Sequence, residues 1–437
     1  MHSDLTKGST RAHLIKLSIP AMTGYFFHTM YNFTDTYFAG IISTQALTAL
    51  SLSASIFFMI LAIAIGMSEA LTSLVANTLG AQQTKQAQHI ALNGIAFAFV
   101  LSILLSIVGL ISLPYFINII KDASAISATL SYLNIIIYSI IFFIGSYFFN
   151  ALLNATGDTK SFRNILIVTA FLNVLLDYIF VLHLNYGIQG LAIATVISEV
   201  ITFLYLFYKL TRTKLYLGIR AYNFDIKIFK QLLNQGFAPS MNMFMMAFGM
   251  YIITYFVAPY GKEAIAAFGI GMRIEQIFLM PIVGLSIATL TIISQNNGAK
   301  QFARIEETSK LAIFYGTVLS SIGILIFYTF GENIASILTD DIKVIQQSVW
   351  YLKVCGFSFF GFVLIFIYIA VLQGVQKPSV IFPISIYRQV LAPILLFSFL
   401  QYLDVSITFV WIGLDVIILS SALFLWWYVK KVSAKLF

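Results

Sequence analysis

Charge is what this chain has least of. Only 10% of its 437 residues are Asp, Glu, Lys or Arg, too little polar surface to hold a soluble core of this size in water. Cysteine is nearly absent. Cys355 stands alone in an apolar stretch, which excludes a disulfide framework and a cysteine metal site. The five His are scattered, and there is no His-Glu-x-x-His, no Gly-x-Ser-x-Gly and no aspartate pair in a recognised protease setting. A membrane-embedded enzyme therefore lacks its constellation. A phosphate-binding glycine loop and a soluble domain to carry one are also missing, which excludes an ATP-driven pump. The start, Met-His-Ser-Asp-Leu-Thr-Lys, lacks the apolar core and cleavage site of a secretory signal, so the first span is expected to stay in the mature chain.

What the chain has is apolar length. Hydrophobic residues make up 60% and the mean hydropathy is +0.92, and a helix needs ~20 apolar residues to cross ~30 Å of hydrocarbon. Twelve such runs are expected, at about 13–38, 47–78, 90–120, 128–155, 163–184, 187–210, 231–259, 264–294, 309–331, 346–373, 378–402 and 406–430. They are continuous rather than alternating, which argues against a β-barrel. The fold class is all-α membrane protein. Of the 25 Lys and Arg, nineteen fall on the side of the termini. Only Lys121, Lys262 and Lys343 fall on the other side, while Arg273, Lys353 and Arg388 lie within spans. Both termini are therefore expected in the cytoplasm, in a multi-pass protein of the cytoplasmic membrane. This topology accounts for the +8 net charge, so no nucleic-acid partner is needed.

The chain repeats itself. Leu17-Ser-Ile-Pro20 is echoed by Gly236-Phe-Ala-Pro239, Gly80-Ala-Gln-Gln-Thr-Lys85 by Gly298-Ala-Lys-Gln-Phe-Ala-Arg304, and the stretch from Ala151 to Ser161 by that from Ala370 to Ser379. Six spans in each half, in the same orientation, make two parallel repeats. The expected division is an N-lobe at 1–208, a basic cytoplasmic linker at 209–230 and a C-lobe at 231–437. Two such bundles are the usual frame for alternating access.

The acids are not repeated. Asp177 lies in Phe171-Leu-Asn-Val-Leu-Leu-Asp177-Tyr-Ile-Phe180 with Asn173 one turn earlier, and Asp35 lies near the end of the first span. Their counterparts in the second half are Leu395 or Leu396 and Thr254. An ionised group at bilayer depth costs at least ~2.5 to 3.5 kcal/mol, so such an acid is a site candidate with partners to be found. Residues four apart share a helix face, which groups Tyr31 with Asp35, Thr169 with Asn173 and Asp177, and Thr195 with Glu199. At ~1.5 Å per residue, Asp35, Asp177 and Thr195 reach similar depths. Two carboxyl groups in an apolar setting can take up and release a proton near physiological pH. Equally, Asp35, Asn173, Asp177 and Thr195 supply the oxygen ligands that Na⁺ prefers. His28 lies on the stripe of Tyr31 and reads first as a hydrogen-bonded core residue. Glu199, near mid-membrane, either attracts a cationic substrate or is structural. Glu69, Arg273, Glu275 and Asp415 read as paired structural groups.

In order and spacing, Pro20, Tyr31-Asn-Phe-Thr-Asp-Thr-Tyr-Phe-Ala-Gly40, Ala76-Asn-Thr-Leu-Gly80, Asn173-x-x-x-Asp177, Gly190-Leu-Ala-Ile-Ala-Thr195 and Ser294-Gln-Asn-Asn-Gly298 resemble the multidrug and toxic compound extrusion (MATE) transporters. The resemblance spans nearly the whole chain. It implies two six-helix lobes in a V-shaped architecture, an H⁺- or Na⁺-coupled antiporter without a cofactor, and export of small organic cations by a monomer in membrane lipid. It also implies that Asp35, Tyr132, Asn173, Asp177 and Thr195 form the coupling network, that Tyr31 and Asn150 match pocket positions, and that Pro20 is a hinge in the first helix; Glu199 and His28 are added as candidate cavity residues from their own positions. A proline there removes a backbone hydrogen bond, which supplies a bending point. Where the norfloxacin-exporter branch carries a Glu in span seven and an Asp in span ten, this chain has Met246 and Phe362. The pattern is closer to the DNA-damage-inducible branch. Asn154 replaces the basic residue usual before the span-four turn. The alternative within the superfamily is a flippase for lipid-linked sugars or polysaccharides, for which only Arg273 and Arg388 offer basic cavity residues.

Overall fold

The structure is a computed structural model that describes residues 4–117, 123–216, 218 and 222–436. Lys121 and Arg220, used above for orientation, lie outside the described residues. In chain order the helices are α1 (Thr10–Ile42), α2 (Thr44–Gly80), α3 (Thr84–Ile117), α4 (Ala123–Tyr138), α5 (Ile140–Ala155), α6 (Lys160–Asp177), α7 (Gly187–Thr211), α8 (Ile226–Val257), α9 (Lys262–Gly298), α10 (Phe302–Ser336), α11 (Ile342–Cys355), α12 (Ser358–Gly374), α13 (Ile381–Ile386), α14 (Ala392–Tyr402) and α15 (Ile407–Leu436). No strand occurs among the described residues. Among the described residues, nine helical segments are long and apolar enough to cross a membrane, or eleven when two bent pairs are each taken as one span. The polar residues of α1 keep that 33-residue helix outside this set.

The expected continuous spans at 128–155 and 346–373 are both broken. α4 and α5 meet at 50°, α11 and α12 at 54°. Each break tightens the backbone, and side chains collect the carbonyls it frees. At the first, Ser139 N–H and Phe142 N–H make bonds three residues back, and Ser106 Oγ donates to Ile137 O at 3.1 Å. At the second, Phe359 and Phe360 do the same, while Ser358 Oγ donates to Cys355 O and Tyr328 Oη to Lys353 O. Freed polar groups in an apolar setting need such partners.

The internal repeat is written into the backbone. Among residues in the left-handed region, Gln82 and Lys300 are 218 apart, and Gly157 and Gln376, like Asn185 and Asp404, are 219 apart. Each half also contains a stretch of π-helix in its fifth span, at Tyr178–His183 and Tyr387–Leu391.

The chain packs as two compact units, one of Met1–Leu5 with Thr23–Phe244 and one of Thr6–Met22 with Met245–Phe437. The first span of each half is therefore divided: α1 begins in the second unit, and α8 begins in the first. Within the first unit, Gly66 of α2 lets the backbone of Ser240 approach; within the second, Gly284 of α9 does the same for Met22. A Cβ at either glycine would collide with backbone. Pro20 and Pro239 lie inside α1 and α8, just before the points of division. In the first unit α7 packs on α4, α5 and α6, which sets up the site described next.

Candidate ion-coupling site

Four side chains around the middle of α1 bond to their own helix: Thr29 to Tyr25 O, Asn32 to His28 O, Thr34 to Met30 O and Thr36 to Asn32 O. Such back-bonding removes these groups from tertiary contacts and eases bending of the helix. Asp35 is not tied back in this way. It is 4% exposed and turns into the first unit.

There it meets α6 and α7. Asn173 and Asp177 are both fully buried on the last turn of α6, where the helix widens into the π segment. Gly190 has no Cβ, so α7 can lie against the backbone of Phe180 in that segment. This close approach carries Thr195 to the acids. With its nitrogen facing them, the Asn173 amide donates to Asp35 Oδ1 at 3.0 Å and to Asp177 Oδ2 at 3.2 Å. Thr195 Oγ1 is 3.3 Å from Asp35 Oδ2 and 2.9 Å from Leu191 O. A hydroxyl has one hydrogen and two lone pairs, so when that hydrogen serves Leu191, a protonated Asp35 can donate to Thr195.

The carboxyl groups of Asp35 and Asp177 are also within hydrogen-bonding reach of each other. No N–H or hydroxyl reaches Asp177 Oδ1, which is buried. Carboxylates only accept, so a hydrogen bond between the two requires a proton held by the pair. The hydroxyls of Tyr31 and Tyr132 both reach toward Thr195, and Tyr132 is buried. Asp35, Tyr31, Tyr132, Asn173, Asp177 and Thr195 are thus one cluster drawn from α1, α4, α6 and α7.

His28 stacks on Tyr31 with 6.3 Å between ring centroids. Glu199, one turn beyond Thr195, is half-buried, and buried Asn150 follows buried Ser146 on the same face of α5. Ser146 was not singled out in the sequence, where a lone serine in an apolar run carries no signal. In the second unit Met246 is half-buried and Phe362 packs against Phe366. The buried acid Glu275 stands near Tyr351, which follows Tyr132 by 219 residues and whose hydroxyl donates to Met272 Sδ at 3.6 Å. Arg388 is buried within the second π segment.

The fold and its buried acids in an otherwise apolar chain define a multi-pass membrane transporter. The MatE family model matches residues 20–179 and 239–397, so the chain belongs to the MatE (multidrug and toxic compound extrusion) family of secondary transporters, which are not enzymes. The chain is 27% identical over 430 residues to the probable multidrug resistance protein NorM of Thermotoga maritima, covering 94% of this chain and 90% of that one. It is 25% identical over 407 residues to an FAD transporter of Shewanella oneidensis, covering 90% and 88%. A solved MOP superfamily transporter from Pyrococcus furiosus, described as having a binding pocket of reversed polarity, superposes with a TM-score of 0.95 at 21% identity, covering 99% of this chain and 98% of that one.

Proposed function

We propose that this protein is a proton-coupled antiporter that exports small organic cations by alternating access, with its coupling site in the first unit. The observation that carries the reading is the buried Asp35–Asn173–Asp177–Thr195 network, whose two acids are close enough to share a proton. Two buried carboxyl groups this close hold one proton between them more readily than two charges, which favours H⁺ as the coupling ion. Proton entry from outside would rearrange the network and, through Tyr31 and Asp35, the part of α1 beyond Pro20. Two states that bind proton and substrate unequally suffice to couple the fluxes.

Tyr31, His28, Asn150 and Glu199 are proposed to face the substrate, and a carboxyl group with no Lys or Arg among them favours cationic compounds. Met246 and Phe362 support a place nearer the DNA-damage-inducible branch than the norfloxacin exporters. The distribution of Lys and Arg supports cytoplasmic termini in the cytoplasmic membrane. Asp35→Asn and Asp177→Asn are each expected to abolish drug resistance in cells and pH-gradient-driven efflux from proteoliposomes while leaving protein levels unchanged. Full activity in both variants, or efflux driven by a Na⁺ gradient alone, would overturn the assignment.

A further inference from the structure

The first unit carries an open cleft that the acid network leaves unused. It lies between α4 and the start of α7, has a volume of about 520 Å³, and is lined by Ser127, Ser131, Asn134 and Gln189 beside apolar residues such as Leu130 and Ile135. That volume falls within the ~300 to 1,000 Å³ of small-molecule sites. The three α4 residues are spaced four and then three apart, which puts them on one helix face. Other faces of α4 are taken up by packing. Leu133 and Ile137 pack with Leu113 of α3, and Tyr132 and Ile136 pack with Ile188 and Leu191 of α7. The polar stripe faces away from these contacts, and Ser127 and Gln189 are exposed.

The stripe also differs chemically from the rest of the chain. Helix hydroxyls here commonly bond back to a carbonyl of their own helix, as Thr129 of α4 does to Ala125 O at 2.7 Å and Thr169 of α6 to Ile165 O at 2.9 Å. Among the described residues, no hydrogen bond engages the side chains of Ser127, Ser131, Asn134 or Gln189. Two hydroxyls and two amides therefore present donors and acceptors to the cleft. From Ser127 to Asn134 the stripe runs ~10 Å along α4. Because α4 and α7 both begin at the face expected to be external, the stripe passes from headgroup level into the hydrocarbon. Polar side chains without partners are costly there, so a ligand that supplies the partners is favoured.

The lining also selects the ligand. None of the lining residues is charged, so a phosphate would lose its hydration with no Arg or Lys to receive it. A sugar offers hydroxyls that both donate and accept, the complement of serine hydroxyls and side-chain amides. Leu130 and Ile135 add an apolar wall, which suits a ligand that also carries hydrocarbon.

We propose that this cleft binds an uncharged, sugar-headed glycerolipid of the outer leaflet. Ser127 and Gln189 meet the sugar, and Ser131 and Asn134 donate to the ester carbonyls below it. The site is separate from the acid network and does not depend on which ion drives transport.

Native mass spectrometry of the full-length protein released from phosphatidylcholine nanodiscs tests the assignment. Monoglucosyl diacylglycerol, phosphatidylglycerol with the same acyl chains, and methyl glucoside are added in separate samples at equal concentration. The glucolipid is expected to be retained severalfold more than either of the others. Ser131→Ala and Asn134→Leu each remove one hydrogen-bonding group and should each lower its retention about two- to tenfold. Thr329→Val, which alters an exposed hydroxyl tied to Leu325 O on α10, should leave it unchanged. Thermal unfolding without glucolipid, equal in parent and Ser131→Ala, shows that the milder variant is folded. Equal retention of phosphatidylglycerol would overturn the proposal by making the cleft a general lipid contact. Equal retention of methyl glucoside would overturn it in favour of a free-sugar site, and undiminished glucolipid binding in both α4 variants would place the lipid elsewhere.

Discussion

Asn173 holds two carboxyl groups with one amide, and the Asp35–Asp177 pair depends on it more than on any other donor. Replacing it by Ala removes both N–H bonds from buried acids, a loss of ~1 to 3 kcal/mol, which corresponds to about a tenfold drop in gradient-driven efflux for each 1.4 kcal/mol. The measurement is efflux per unit of protein in proteoliposomes beside Asn32→Ala, an exposed residue whose amide bonds within its own helix. Much of this cluster was legible in the sequence, because four-residue spacing put Asn173 with Asp177 and Tyr31 with Asp35. Across helices the sequence offered only similar depth, and the contact of Thr195 with Asp35 depends on how closely α7 approaches α6. Ser146 had no such signal.

At the scale of elements, the approach of α7 is decided by Gly190. A Cβ there would meet the Cβ and backbone of Phe180, so Gly190→Val must push α7 away from the π segment and Thr195 away from Asp35. Drug resistance should fall to that of cells lacking the protein, with the variant still present in the membrane fraction. Gly40→Ala is the matched control: a Cβ at Gly40 meets nothing, and Ala in a helix gains ~0.5 to 1 kcal/mol over Gly. A Gly190→Val protein with full resistance would show that the close approach is dispensable. The bends and π segments were hidden in the sequence for a simple reason. Hydrophobic periodicity distinguishes faces, and runs such as Ile135-Ile-Ile-Tyr-Ser-Ile-Ile141 are apolar on every face, so neither a kink nor an extra residue per turn leaves a mark. The repeat was visible because turns carry polar and glycine signals, and those turns coincide with the paired left-handed residues.

For the whole molecule, the division of α1 and α8 between units matters most. The sequence placed the boundary at a basic linker, where composition changes; the packing boundary falls within helices, where nothing in the composition changes. Two half-chains, 1–216 and 222–437, should each fail to accumulate as stable membrane protein when made alone, and should restore resistance when made together. Membrane-fraction immunoblots and growth in drug test this, and a stable, monodisperse half would contradict it. The same division sets a timetable for synthesis. Gly66 is made long before Ser240, the residue whose backbone it is shaped to receive, and at ordinary translation rates the interval is on the order of ten seconds. During that time the first bundle has an open seam along α2, and it is completed only when the opening turns of the second half arrive.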